Sequence, residues 1–313
     1  MMTRKACLLL RVFTMVDSHK ASAIYPTAAL LNHGCMPNVH MVFDRFARMQ
    51  CRAIRPIPAG QPLQHCYGAK FGKMARAERQ ESLLADYYFR CECEACTEAE
   101  FEEIEREKLA LKCDCGGELW PTAQLVNELN GTGVAVDDGN SKQENSKSDR
   151  CSSCGGDANV VRQKFEKDVE ELMETLRKVA VLCAKDVEPL LKTYLTLEAR
   201  CHTHNERINE LRCVLGNALV AAGVPQAAEP ILLRHVASTK RHSGPLSLRT
   251  AVAVSRLTGA YREFDSDKYW LTAALMIRIH LNHFGTQQVK QMFEANGLTH
   301  FLPAIELIEM GHV

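Results

Sequence analysis

The sequence predicts an α+β N-terminal part followed by an all-α region beyond Val160. Three observations carry this. Between Val39 and Tyr67 short β-rich runs alternate with turn residues; seven cysteines then fall in closely spaced groups; after Val160 apolar residues recur at helical spacing with almost no strand signal.

The elements follow in order. "VHMVF", "RMQCRAI" and "LQHCY" read as strands, with Pro56, Pro58 and Gly60 marking the turn inside "RPIPAGQP". Residues 74–88 read as a helix leading into "CECEAC" at Cys91. "EAEFEEIERE" opens a second helix after Thr97, with Lys108 and Lys112 near its end, an order of charge that suits the helix dipole; its acids are expected to form a solvated face. Residues 127–150 are rich in Gly, Asn, Ser and charge, and are expected to form a flexible loop. Beyond them Phe165, Val169, Leu172, Met173, Leu176, Val179 and Ala180 make one helical stripe. Further helices are separated by "AAGVP", "RHSGP" and "HFGT". Leu215, Gly216, Leu219, Ala228 and Leu232 fall at the small and large packing offsets of the tetratricopeptide pattern. "SRLTGAYREFDSDKYWLTAAL" follows that pattern only with extra residues in its turn. A generic helical bundle is the plainer alternative.

The totals limit the functional classes. In 313 residues the apolar share is 46%, the charged share 24% and the net charge zero, with no basic block to follow a phosphate backbone; nucleic acid is not an expected direct ligand. The opening run "MMTRKACLLLRVFTMV" is too short and too interrupted by Arg11 for a secretory signal, and no stretch reaches the roughly 18 apolar residues of a membrane span. Fourteen cysteines without a signal point to reduced thiols, some of them metal ligands.

Zinc in a structural site takes four tetrahedral thiolate or imidazole ligands. Cys91, Cys93 and Cys96 supply three, so a fourth must come from elsewhere; spacing leaves Cys35, Cys51, Cys66, His33 and His65 open. Cys113 and Cys115, before Gly116-Gly117, and Cys151 and Cys154, before Gly155-Gly156, form a complete set of their own. Closing the intervening loop of about 35 residues costs roughly 3 kcal/mol. Structural zinc returns about 10–16 kcal/mol in peptides, so binding outweighs closure.

"LLNHGCMPN", "RAIRPIPAGQPLQHCY" and "ERQESLLADYYFRCECEAC" occur in one order, and together resemble the C-terminal half of a SET domain with its post-SET segment, as in the SET and MYND domain-containing lysine methyltransferases. The later cysteine turns and helices resemble the fourth, tetratricopeptide-bearing member of that family. The resemblance covers roughly residues 24–96. It implies protein-lysine methylation using S-adenosylmethionine, on a lysine of a protein substrate. Asn32, His33, Tyr67 and Phe89 then bind the cofactor, Tyr67 also serves as the active-site tyrosine, and Tyr87 lines the lysine channel. Cys35 becomes the fourth ligand beside Cys91, Cys93 and Cys96. The implied organisation is a C-terminal SET part at 1–90, a post-SET segment and helix at 91–112, a second zinc segment with its loop at 113–159, and a tetratricopeptide-like domain at 160–313, in a cytoplasmic or nuclear protein. Gly34 stands where the family has serine, and Gln61-Pro62 replace an acidic pair. Residues 1–23 hold no glycine and are too few for a cofactor loop or a MYND module, so the chain is expected to be N-terminally truncated. The alternative of another class is an inactive zinc-stabilised helical module whose groove binds a peptide.

Overall fold

The computed structural model describes residues 23–44, 46–121, 150–151, 153–178 and 184–311. The opening apolar run, Cys7, Cys183, Val179, Ala180 and all of the expected loop but Arg150 lie outside them. Contacts divide the chain into two compact units, residues 1–68 with 216–313, and residues 69–215.

In the first unit, β1 (Asn32–His33) pairs in parallel with β4 (Gln64–His65), Asn32 opposite Gln64 and His33 opposite His65. Between them β2 (Val39–Phe43) and β3 (Met49–Ala53) form an antiparallel hairpin. The carboxylate of Asp44 shapes its turn: Oδ1 accepts the N–H of Phe46 (2.8 Å) and of Arg48 (3.0 Å), while Oδ2 accepts Arg48 Nε (2.7 Å). The expected strand through Tyr67 stops at His65, because the next amide bond leaves the ladder for a side chain, as shown below.

α6 (Glu206–Ala221) and α7 (Pro225–Ser243) are joined by a three-residue turn. Gly216 lets them approach closely: a Cβ there would stand 2.5 Å from Leu232 Cδ2. α8 (Leu248–Tyr261) packs on both α7 and α9 (Ser266–Phe284), and α10 (Thr286–Ala295) and α11 (Leu302–Glu309) pack on α9. The turn between α8 and α9 has four residues, so the second helix pair does carry extra turn length. Ser247 Oγ accepts Thr250 N–H (3.1 Å) and Asp265 Oδ1 accepts Lys268 N–H (2.9 Å), satisfying amides that each helix start leaves open. The hairpin is tied to this array at the far end of α9. Arg52 donates to the carbonyls of Leu281 (3.1 Å) and Asn282 (3.3 Å) in the last turn of α9, the former shared with the N–H of Gly285 (2.9 Å).

In the second unit, α1 (Arg76–Tyr87), α2 (Glu94–Thr97) and α3 (Ala99–Glu107) surround the first cysteine group. β5 (Leu111–Lys112) and β6 (Glu118–Leu119) pair antiparallel around the Cys113–Gly117 turn. α4 (Ala158–Lys178) buries Phe165, Val169, Leu172, Met173 and Leu176, as its stripe predicts, and packs on α5 (Ala184–Glu198). The solvated-face reading of the acidic helix holds for Glu100, Glu102 and Glu103 but not throughout. Glu105 and Glu107 are buried, Glu105 because a buried arginine needs it.

Candidate active site and metal centres

The turn Asn32–Asn38 is held against β4 by backbone and side-chain bonds together. Gly34 N–H donates to His65 O (2.9 Å) and Asn38 N–H to Gln64 O (3.1 Å). The fully buried amide of Asn38 completes the clamp, with Oδ1 accepting Gln64 N–H (2.8 Å) and Nδ2 donating to Pro62 O (2.9 Å). Pro62 thus enters through its carbonyl, a role that needs no N–H of its own. A serine at position 34 would meet Gln64, since a Cβ on Gly34 would lie 2.9 Å from its Oε1.

His33 is buried and its ring is committed on both sides. Nδ1 accepts the backbone N–H of Tyr67 (3.1 Å), so Nε2 carries the proton and faces Cys35 Sγ at 3.3 Å. The ring therefore orients Tyr67 on one side and polarises the Cys35 sulfur on the other. Tyr67 is fixed again at its tip, where the hydroxyl donates to Leu31 O (2.6 Å). With its proton so used, the phenol oxygen keeps its lone pairs to accept. The His65 ring lies 4.7 Å from the Tyr67 ring at a tilt of 54°, and burial holds its imidazole below the ordinary histidine range. Asn32 is exposed beside this frame. Sequence reasoning had Asn32, His33 and Tyr67 but not the clamp by Asn38, whose signal was the Pro-Asn dipeptide after Cys35.

In the second unit, α1 ends at Tyr88, which takes a left-handed conformation (φ 61°), with Tyr87 exposed and Phe89 half-buried. The cysteine loop follows at once. Gln80 brackets Cys91, its Nε2 donating to Cys91 O (2.7 Å) and its Oε1 accepting Cys91 N–H (2.9 Å). The Sγ atoms of Cys91, Cys93 and Cys96 lie within 4.8 Å of one another. Arg79, fully buried, reaches under them: Nη2 donates to Ala95 O (2.8 Å) and stands 3.8 Å from Cys96 Sγ, while Nη1 donates to Met74 O (2.8 Å) and Glu105 Oε1 (2.5 Å). A guanidinium beside a sulfur favours thiolate, the ligand form. Sequence reasoning missed Arg79 and Glu105, for neither has a local signal.

The second cysteine set is built from two matching turns. Cys113 N–H donates to Gly117 O and Cys151 N–H to Gly156 O, both at 2.8 Å, and the N–H groups of Gly116 and Gly155 return to the carbonyls of Cys113 and Cys151, again at 2.8 Å. Gly116 (φ 86°) and Gly155 (φ 72°) provide the left-handed step each turn needs. Gly117 is needed for space, since a Cβ there would stand 2.6 Å from Cys151 Sγ. All four sulfurs lie within 4.8 Å, with Cys113–Cys154 at 3.6 Å and Cys115–Cys151 at 3.5 Å. These separations far exceed a disulfide of about 2.05 Å and approach the edge of about 3.8 Å of a ZnS4 tetrahedron with 2.3 Å bonds. The donor set fits zinc. The thiols also compete for protons: amides of Cys154 and Ser153 bring Cys151 down to about 6. For Cys115 the Gly117 amide pulls the same way, but the thiols of Cys154, Cys151 and Cys113 prevail and push it up to about 12. A dication at their centre removes that conflict.

Residues 10–68, the segment that holds the clamped turn and Tyr67, match the SET domain family. The similarity extends to particular lysine methyltransferases. The chain is 41% identical over 102 residues to protein-lysine N-methyltransferase SMYD4 of Pongo abelii, covering 32% of this chain and 12% of that protein. It is 33% identical over 103 residues to N-lysine methyltransferase SMYD2 of Gallus gallus, covering 32% and 22%, and 40% identical over 73 residues to histone-lysine N-methyltransferase SMYD3 of Mus musculus, covering 23% and 16%. The matched segments thus span less than a quarter of each relative. They bear out the resemblance drawn from the motifs.

Proposed function

We propose that the chain carries part of an S-adenosylmethionine-dependent protein-lysine methyltransferase site. The observation that carries this is the Tyr67 frame within the SET match, in which His33 and Leu31 fix one tyrosine from both ends. When bound, S-adenosylmethionine supplies an electrophilic methyl on a cationic sulfonium. Catalysis then rests on alignment and preorganised dipoles. By the family resemblance, Asn32 and the backbone of the His33 turn would hold the cofactor, Phe89 would meet its adenine and Tyr87 would line the lysine channel; aromatic side chains such as these suit a sulfonium and a methylated ammonium. Tyr67, its hydroxyl donating to Leu31 O, would accept from the reacting amine and keep it in line.

Cys35 is proposed to complete a post-SET zinc site with Cys91, Cys93 and Cys96. Its support is the tetrahedral need for a fourth ligand, the burial of Cys35, and the His33 Nε2–H facing its sulfur. Zinc at Cys113, Cys115, Cys151 and Cys154 would be structural, leaving no open position for water. The helices from α6 onward are read as tetratricopeptide-like, a groove-forming surface for peptide partners, with the Gly216–Leu232 approach in support. Thiolate zinc sites require a reducing compartment, which agrees with a cytoplasmic or nuclear location.

The test is binding of labelled S-adenosylmethionine to the zinc-loaded chain, with methyl transfer to lysine peptides as the second readout. Binding lost in Asn32→Ala and Phe89→Ala is the expected result. No binding at millimolar cofactor to folded, zinc-replete protein overturns the reading and leaves the inactive helical interaction module.

A further inference from the structure

We propose that the Cys113, Cys115, Cys151 and Cys154 cluster is a thiol-oxidation site, at which a hydroperoxide expels the zinc and joins the two turns by disulfides. The proposal rests on the zinc reading of this cluster and goes beyond it. Its basis is the different exposure of the chain's two cysteine groups. In the second group Cys115 and Cys154 are exposed, Cys113 half-buried and Cys151 buried, whereas in the first no cysteine is exposed, Cys91 and Cys96 being buried and Cys93 half-buried. Metal-bound sulfur stays nucleophilic, and oxidation follows thiolate character and access.

The pairing is already set by geometry. Each turn contributes one exposed sulfur next to a sulfur of the other turn, Cys154 at 3.6 Å from Cys113 and Cys115 at 3.5 Å from Cys151. An exposed thiolate attacks the peroxide O–O bond, forming a sulfenic acid and releasing hydroxide, which is protonated to water. The neighbouring thiolate then attacks the sulfenic sulfur, forming S–S and releasing a second hydroxide. For the whole site, one Zn(SR)4 unit of charge −2, two H2O2 and four protons give Zn2+, two disulfides and four waters. The sulfurs lose four electrons and the two peroxides take them. Each pair must close by about 1.5 Å to reach disulfide length, a distance that side-chain rotation at the exposed members can cover. Both crosslinks join the same two turns, across 41 and 36 residues of sequence. Oxidation would therefore exchange a metal clasp for a covalent one, and a reductant with zinc would restore it.

The experiment uses the full chain, with metal content measured first so that an empty cluster is recognised before oxidant is added. Hydrogen peroxide is titrated in while released zinc is read with a chromogenic chelator, disulfides are mapped by mass spectrometry, and circular dichroism follows the fold. The expected result is release of one zinc per chain at a peroxide dose at least tenfold below that needed at Cys91–Cys96, with Cys113–Cys154 and Cys115–Cys151 crosslinks, helicity retained, and zinc regained after reduction. Cys154→Ser should abolish the Cys113 crosslink; if that variant does not fold, the map of the parent decides alone. Earlier oxidation of the Cys91–Cys96 peptide, or zinc release only together with loss of helicity, overturns the proposal. So does a loaded cluster that peroxide leaves intact.

Discussion

Arg79→Met removes the cation on which the first cysteine loop rests, and its cost can be worked from the structure. The guanidinium is fully buried, and the Glu105 side chain it pairs with is 7% exposed. Without Arg79, Glu105 keeps the Arg76 backbone N–H (3.0 Å) and is otherwise a buried carboxylate without a counter-ion. Breaking a buried pair by removing one partner typically costs about 3–5 kcal/mol. The carbonyls of Met74 and Ala95 each lose a donor as well, worth about 1 kcal/mol, which places the cost toward the upper end of that range. Of the chain's two tryptophans, Trp120 lies in the unit that holds Arg79 and Trp270 in the other, so in a Trp270→Phe background urea unfolding followed by fluorescence reports on the right unit. Replacing both partners, Arg79→Met with Glu105→Leu, removes the stranded charge and should recover most of the loss. The reasoning is refuted if Arg79→Met costs under about 1 kcal/mol, or if its cost is the same with Glu105→Leu present.

Three further outcomes follow from the same coordinates. Gly216→Ala should lower the melting temperature, since crowding against the fully buried Leu232 costs about 1–3 kcal/mol and outweighs a helix-propensity gain of about 1 kcal/mol; Leu232→Val should restore part of it. Tyr67→Phe loses the bond to Leu31 O, worth about 1 kcal/mol in unfolding, and is expected to cut methyl transfer about a hundredfold while cofactor affinity stays within about threefold, as competition binding would show. Burial holds the His280 imidazole below its ordinary value, so below about pH 6.5 the unfolded chain binds a proton that the folded chain does not; stability should fall on acidification from pH 7 to 5.5, by up to about 1.4 kcal/mol per pH unit, and His280→Gln should flatten that slope in denaturant titrations at each pH.

What could be read from the sequence was what repeats or sits close together. The α4 stripe, the strands β2 and β3 and the two glycine-backed cysteine turns each announce themselves locally, and the structure places them as their spacing predicts. What could not be read depends on partners far apart in the chain. The acids of α3 look alike in sequence; the approach of Arg79 from α1 separates the buried Glu105 from the exposed Glu100, Glu102 and Glu103. β4 was expected to run to Tyr67, and its two-residue length reflects competition that no local propensity contains, because the Tyr67 amide is taken by the His33 ring.

That competition also changes what the Asn-His pair does. A histidine ring with both nitrogens engaged has no donor or acceptor left for a ligand; its contribution to a cofactor site must come through the backbone it holds in place and the tyrosine it aims. His33→Gln tests this directly. Glutamine can offer an oxygen to the Tyr67 amide or a donor toward Cys35 Sγ, but its amide cannot span both in the fixed geometry of the imidazole. If the ring acts by positioning, the variant should lose about a hundredfold in methyl transfer with cofactor affinity reduced by less than tenfold, and zinc at the proposed Cys35 site should exchange faster with a chelator. A loss confined to cofactor affinity, with methyl transfer at saturation and zinc exchange unchanged, would mean that the ring itself contacts the cofactor and that the tautomer inferred from its partners is not the working one.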